Sequence, residues 1–343
     1  MKIYATYNIK GGVGKTSTAV NLAYLAARDG YRVLLWDLDP QGAATFLFRV
    51  RPRVKGGGKA LIRGTRSLDG AIKGTDFDHL DLLPADFTYR NLDLLLDAAR
   101  KPARKLGRLL APLRAEYDVV FLDCPPSISL LSESVLHAAD ILLVPLIPTT
   151  LSVRTLDQLT EFIADFDGQR PDILAFFSMI DRRKSMHKEI AATLPGQRSD
   201  VAATAIPALS LIEQMSVRRA PVTAFAPRSA AARSYAELWA EARERSGLRP
   251  VKGSVRAPAK TPASAPAKTP AGAAAKTPAR APAKTPARAP AKTPVSAPAK
   301  TPARAPAKTP ARAPVSAPAK TPARAPVKTP VSPGRAESRS SPR

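Results

Sequence analysis

Ile3-Tyr-Ala-Thr-Tyr-Asn-Ile-Lys-Gly-Gly-Val-Gly-Lys-Thr-Ser17 is the stretch on which the architecture turns. Ile3 to Asn8 is a strand-like run, and Thr16 to Arg28, behind the glycines, carries a helix-like pattern. Glycines between a strand and a helix let backbone N–H groups turn inward around phosphates, and the helix N-terminus adds a favourable dipole. Gly11, Gly12, Val13 and Gly14 make the loop and Ser17 follows it. Lys15 is expected to reach the β- and γ-phosphates, and the Thr16 hydroxyl to ligate Mg²⁺. The motif is a modified phosphate loop, because Lys10 and Gly11 hold its leading positions. Lys10 is too far along the chain to duplicate Lys15 on the same phosphate easily.

Outward from the loop, Arg32-Val-Leu-Leu-Trp-Asp-Leu-Asp39 is a short continuous apolar run of the kind that a doubly covered parallel strand requires. Leu80 to Leu83, Asp118 to Asp123, Ile141 to Pro145 and Ile173 to Ile180 read the same way. Helical patterns separate them at Asn91–Ala99, Ser129–Ala138 and Val153–Phe166, and a last helix is expected from about Ser229 to Arg245. This alternation predicts an α/β fold, a doubly wound, mainly parallel sheet with helices on both faces. Carboxylates at the ends of adjacent parallel strands, Asp37, Asp39 and Asp123, fall where such sheets bind ligands. The alternative for Asp37 is a strand-end residue that caps local amides. Arg49 to Arg66 is basic and glycine-rich, and reads as a surface loop, either simply solvated or in contact with nucleic acid.

The chain has 343 residues, a net charge of +25, 35 prolines and one cysteine. From about Val251 onward there is almost no Leu, Ile, Phe, Tyr or Trp, so the folding unit is expected at 1–247 and a basic arm at 248–343. The arm is an imperfect repeat of Ala-Lys-Thr-Pro-Ala-Arg-Ala-Pro, clearest from Ala283 to Pro290. Its prolines and lack of core-forming side chains predict disorder with polyproline-II character. Cys124 alone excludes a disulfide framework within one chain and is read as a reduced core residue. His79, His137 and His187 are scattered and assigned no metal role. Nothing at the N-terminus reads as a signal peptide, and no run approaches the ~18 apolar residues of a membrane span. The expected location is cytoplasmic, on the nucleoid.

Lys10-Gly-Gly-Val-Gly-Lys-Thr-Ser17, Leu34-Leu-Trp-Asp-Leu-Asp-Pro-Gln-Gly42 and Tyr117-Asp-Val-Val-Phe-Leu-Asp-Cys-Pro-Pro-Ser127 resemble, in order, the motifs of the ParA/MinD family of deviant Walker-A ATPases. Weaker similarity continues through Phe177-Ser-Met-Ile-Asp-Arg-Arg183, Ile206-Pro207 and Pro221-Val222, so the resemblance covers about residues 1–245. It implies an ATPase with ATP and Mg²⁺ as cofactors, closest to ParA/Soj-type partitioning proteins. Lys10 would cross a homodimer interface to the partner's ATP, Asp39 would orient the attacking water with Asp37 in support, and Asp123 would hold Mg²⁺ through water, with Thr16 and Asp39 completing the expected metal site. Similar proteins usually carry Asn after Asp-Pro-Gln-Gly, where this chain has Ala43. That departure bears on hydrolysis and its control.

In ParA-like proteins, positions similar to Arg182, Arg183, Lys184, Arg218 and Arg219 supply basic residues to a DNA-binding face. The arm resembles the Lys/Pro/Ala arms of linker histones, whose spaced charges neutralise phosphates without reading bases. The expectation is therefore an ATP-switched dimer that binds DNA nonspecifically and moves or spaces a cargo, with a ParB-like or cargo-adaptor protein stimulating hydrolysis. Two alternatives remain open at this point. One is a nucleoid-binding protein whose arm binds DNA while ATP only regulates it; the other is a MinD-like membrane-associated ATPase. The residues after Trp239 lack the apolar half of a membrane-inserting helix, which disfavours stable membrane insertion.

Overall fold

The computed structural model describes residues 1–65, 67–166 and 169–251. Eight strands form one sheet: β1 (Lys2–Thr6), β2 (Val33–Asp37), β3 (Lys73–Gly74), β4 (Leu80–Leu83), β5 (Val119–Asp123), β6 (Ile141–Leu146), β7 (Asp172–Ile180) and β8 (Val201–Pro207). Their order is β3-β4-β2-β5-β1-β6-β7-β8, and every pairing is parallel except that of the two-residue β3 with β4. The helices are α1 (Lys15–Arg28), α2 (Ala43–Leu47), α3 (Gly57–Arg63), α4 (Leu92–Asp97), α5 (Lys105–Leu110), α6 (Leu130–Ala138), α7 (Thr150–Ala164), α8 (Ser185–Gln197), α9 (Ser210–Arg218), α10 (Val222–Phe225) and α11 (Ala230–Ser246).

The expected architecture is present, and the continuous apolar runs have the expected cause. Successive strand residues point to opposite faces, and both faces are covered. Leu34, Trp36, Val120 and Leu122 join one core, with Leu92, Leu106, Val135 and Leu156 of the helices beside it. Val33, Leu35, Val119 and Phe121 join the other, against α1 and α11. The first turns of α1 bring Ala19 and Ala23 to the sheet, small side chains that let the helix lie close behind the phosphate loop.

The last helix closes that second core. Trp239 meets Tyr4 and Tyr31 edge-on at ring-centroid distances of 5.7 and 6.3 Å, and its indole N–H donates to Asp29 Oδ2 at 2.9 Å. Tyr4 and Ser246 share a hydroxyl–hydroxyl bond of 2.6 Å. Past α11, the Tyr31 hydroxyl donates to the Arg249 carbonyl at 2.8 Å, which fixes the chain beside the first residues of β2. The predicted arm lies, from residue 252 on, outside the described residues.

Arg49–Arg66 is not the surface loop its composition predicts. Residues 57–63 form α3, which buries Leu61 and Ile62 in the core, and Val54 is buried ahead of it. Glycine is what permits the contact: a Cβ on Gly58 would come within 2.8 Å of Leu92 Cδ2. The charged residues Arg51, Arg53 and Lys55 stay exposed. Also absent from the sequence reading are α8, β8 and α9. β8 is an alanine-rich edge strand ending in proline and pairs with β7 through register shifts, so it lacks the apolar run that marks inner strands.

Candidate functional site

The strand ends bring the motifs together. Asp123 of β5 sits level with Thr6 of β1 on one side and Asp37 of β2 on the other. Thr6 leads directly into the glycine loop, whose entry is pinned by Asn8: its side-chain amide donates to the Pro145 carbonyl, and its Oδ1 accepts from the Lys10 amide, both at 2.8 Å. Gly12 and Gly14 have φ of 71° and 98°. Gly14 tolerates no side chain, since a Cβ there would lie 2.9 Å from Ser178 Oγ as well as in the left-handed region.

Lys15 opens α1 and is only 7% exposed. Its ammonium donates to the Lys10 carbonyl at 2.9 Å, so it lies folded across the loop. Burial pulls its pKa down from the usual lysine range, against the opposing pull of Asp123. The Lys10 ammonium has no ion-pair partner among the described residues.

Asp37 and Asp123 are both fully buried. Burial raises Asp37 to about 6, even though Thr45 donates to its Oδ2 from both hydroxyl and amide, at 2.7 and 2.8 Å. Asp37 thus does bond a local amide, and through it anchors α2. Burial, then the neighbouring Asp37 charge, pushes Asp123 well above the carboxylate range, and the nearby Thr16 hydroxyl pulls it back. Among the described residues, Asp37 Oδ1 and Asp123 Oδ2 have no hydrogen-bond partner. Two adjacent buried carboxylates with free oxygens are costly without a cation. Among the described residues no cluster of three His, Cys, Asp or Glu could hold a metal unaided. Mg²⁺ does not need one, since it is bound through one or two carboxylates plus substrate phosphates.

Asp39 is half-buried and forms a turn, its Oδ1 accepting from the Gln41 amide and its carbonyl from the Gly42 amide, each at 2.9 Å. Ala43 follows as the exposed first residue of α2. The Thr45 hydroxyl also accepts from the Ala85 amide at 2.8 Å, tying this segment to the end of β4. Thr45→Val keeps the shape and removes both bonds. It is expected to cost about 1–3 kcal/mol of unfolding free energy, measurable by urea denaturation.

Gly11, Gly12, Gly14, Lys15, Thr16, Ser17 and Asp39 line one side of a cavity of about 360 Å³. The far wall comes from Ser178 and Met179 of β7, Ile206 and Pro207 of β8, Ile212 and Glu213 of α9, and Tyr235 of α11. No motif of the sequence identifies residues for a nucleotide base. The only sequence signals at this wall are the weak motifs around Phe177 and Ile206-Pro207. Cys124, next to Asp123, is buried, and burial drives its thiol well above the usual range. A second, apolar depression of about 280 Å³ lies beside the loop entry and includes Ile9, Ile128, Leu146 and Phe162.

Of the basic residues, Arg182, Arg183 and Lys184 are exposed between β7 and α8, where Arg183 pairs with Asp181 at 3.1 Å. Arg218 ends α9, and Arg219 is turned inward onto Phe46 of α2. Among the described residues, no helix is long and apolar enough to cross a membrane.

Residues 1–175 match an AAA domain family (AAA_31). The chain is 30% identical over 262 residues to the chromosome partitioning protein ParA of Caulobacter vibrioides, covering 74% of this chain and 98% of that protein. Among solved structures it is similar to cobyrinic acid a,c-diamide synthase from Mycobacterium smegmatis with bound ADP and magnesium. There the TM-score is 0.60 and the identity 28%, over 73% of this chain and 98% of that one. A putative plasmid partition protein from Borrelia burgdorferi B31, bound to AMPPNP, shares the fold at a TM-score of 0.63 and 22% identity, over 71% and 99% of the two chains.

Proposed function

Because the chain belongs to the ParA/MinD family of P-loop ATPases, we propose that it binds and hydrolyses ATP with Mg²⁺, closes as a homodimer over two nucleotides, and in that state binds DNA nonspecifically to segregate or position a cargo. The loop amides from Gly11 to Thr16 and the Lys15 ammonium bind the phosphates, and the cavity wall of Met179, Pro207 and Ile212 receives the base. Thr16 and Asp123, with Asp39 nearby, hold Mg²⁺, which neutralises phosphate charge. Asp39 orients the attacking water. Residues 1–247 act as the ATPase unit and 248–343 as a basic arm.

The observation that carries the dimer reading is Lys10. It stands at the head of the loop, its ammonium is unpaired within the described residues, and the apolar depression containing Ile9, Ile128 and Phe162 adjoins it. A charged side chain beside apolar surface at a phosphate site suits a facing copy better than bulk water. Lys10→Ala is expected to leave nucleotide binding by the monomer largely intact and to abolish ATP-dependent dimerisation in sedimentation or light scattering. Unchanged dimerisation would sink the shared-site reading.

DNA binding rests on the exposed Arg182, Lys184 and Arg218 and on the arm's charge, and a stimulating partner on the cargo completes the cycle. The basic repeat also favours the competing reading, in which the arm alone binds DNA. A chain ending at Arg249 separates the two: ATP-dependent binding survives in weakened form if the ATPase unit carries a DNA face, and disappears if it does not.

A further inference from the structure

The segment that follows Asp39 is clasped by arginines. Arg49, just past α2, and Arg219, just past α9, have φ of 60° and 50°, backbone that side chains disfavour. Each holds the other's element. Arg219 donates from Nε to the Phe46 carbonyl at 3.0 Å and lies 4.5 Å over the Phe46 ring. Arg49 donates to the Arg218 carbonyl at 3.3 Å. α9 supplies Ile212 and Glu213 to the nucleotide cavity and α2 begins four residues after Asp39, so the clasp joins a helix of the cavity wall to the helix that follows Asp39.

The charge balance here is unusual. Among the described residues no carboxylate pairs with Arg218 or Arg219, and Asp76 alone pairs with Arg49, at 3.3 Å. Arg51 and Arg53 continue the exposed basic run. The Phe46 ring that Arg219 covers is itself 50% exposed, so the contact is open to competition from solvent-borne anions. A phosphate offers a guanidinium two charge-assisted acceptors, against one carbonyl and a ring face in the clasp.

We propose that Arg219 is shared between two partners, the Phe46 ring and carbonyl in the free chain and a backbone phosphate of duplex DNA in the bound one, so that DNA loosens α2, the helix that follows Asp39. The proposal rests on the DNA-binding reading above and adds to it a coupling between the basic surface and the hydrolytic segment. Coupling of this kind is reciprocal: whatever opens the clasp strengthens DNA binding, and DNA opens the clasp.

The test compares the full wild-type chain with Phe46→Leu, loaded with an ATP analogue and Mg²⁺, by duplex titration and by hydrogen exchange over residues 42–48. Phe46→Leu keeps an apolar side chain and the carbonyl but removes the ring face. Duplex affinity is expected to tighten about two- to five-fold, the equivalent of the ~0.5–1 kcal/mol of an exposed cation–π contact at 1.4 kcal/mol per tenfold. Exchange over 42–48 is expected to quicken in wild type on adding duplex, and to be quick in Phe46→Leu without it. Wild type that binds duplex while neither affinity nor exchange responds overturns the clasp and leaves the DNA reading standing. Wild type that binds no duplex overturns both. Tighter capture of Phe46→Leu by vesicles of phosphatidylglycerol and phosphatidylcholine, with duplex affinity unchanged, makes the competitor a lipid and overturns the proposal.

Discussion

Lys15→Ala is expected to weaken ATP binding by roughly 10²- to 10⁴-fold, measured calorimetrically with a non-hydrolysable analogue and Mg²⁺. Lys15 is 7% exposed and its ammonium lies across the loop on the Lys10 carbonyl, where the proposed function has it meet the phosphates. Removing one partner of such a desolvated charged contact costs about 3–5 kcal/mol, which sets the range. The nucleotide-free protein loses little by the change, because burial already disfavours the charged lysine. An unaltered melting curve beside a lost titration signal therefore identifies a binding defect. An intact titration would place the phosphates elsewhere in the cavity.

Asp39→Ala separates hydrolysis from binding. Its carboxylate lines the cavity with Thr16 but is neither buried nor adjacent in register to Asp123. Loss of a positioned acid or base lowers turnover by roughly 10²- to 10⁴-fold, while nucleotide affinity should hardly move. The same carboxylate accepts from the Gln41 amide, so alanine could also disturb the turn. Asp39→Asn answers that objection by keeping the acceptor and removing the charge. Equal loss of turnover in both variants assigns the effect to chemistry. With release blocked, both should dwell longer on DNA. Normal release by either would remove Asp39 from the cycle.

The inner strands were legible in the sequence because both of their faces are buried, which leaves Val33 to Asp37 and Val119 to Asp123 no polar position before the terminal carboxylate. The phosphate loop was legible because its chemistry needs contiguous residues. The far wall of the cavity was not, because Ser178, Ile212 and Tyr235 reach it from three elements that only the fold brings together. Composition misled at Arg49–Arg66, where lysines and glycines conceal Leu61 and Ile62; that pair of aliphatics was the one signal of α3. At Asp37 two readings had competed, a local cap and a support for the site. The bonds to Thr45 bear out the cap, through which Asp37 holds the segment beyond Asp39.

The bond from Tyr31 to the Arg249 carbonyl also has a practical meaning. Tyr31 precedes β2, whose opposite end is Asp37, so the described chain leaves at the rim where strands start, a strand's length of roughly 17 Å from the carboxylates. A surface linkage or a reporter attached at Val251 itself is thus mounted on the side of the sheet away from the carboxylates. Nucleotide exchange on a sample immobilised there should proceed at its solution rate, because the linkage leaves the cavity lined by Gly12, Thr16 and Asp39 unobstructed.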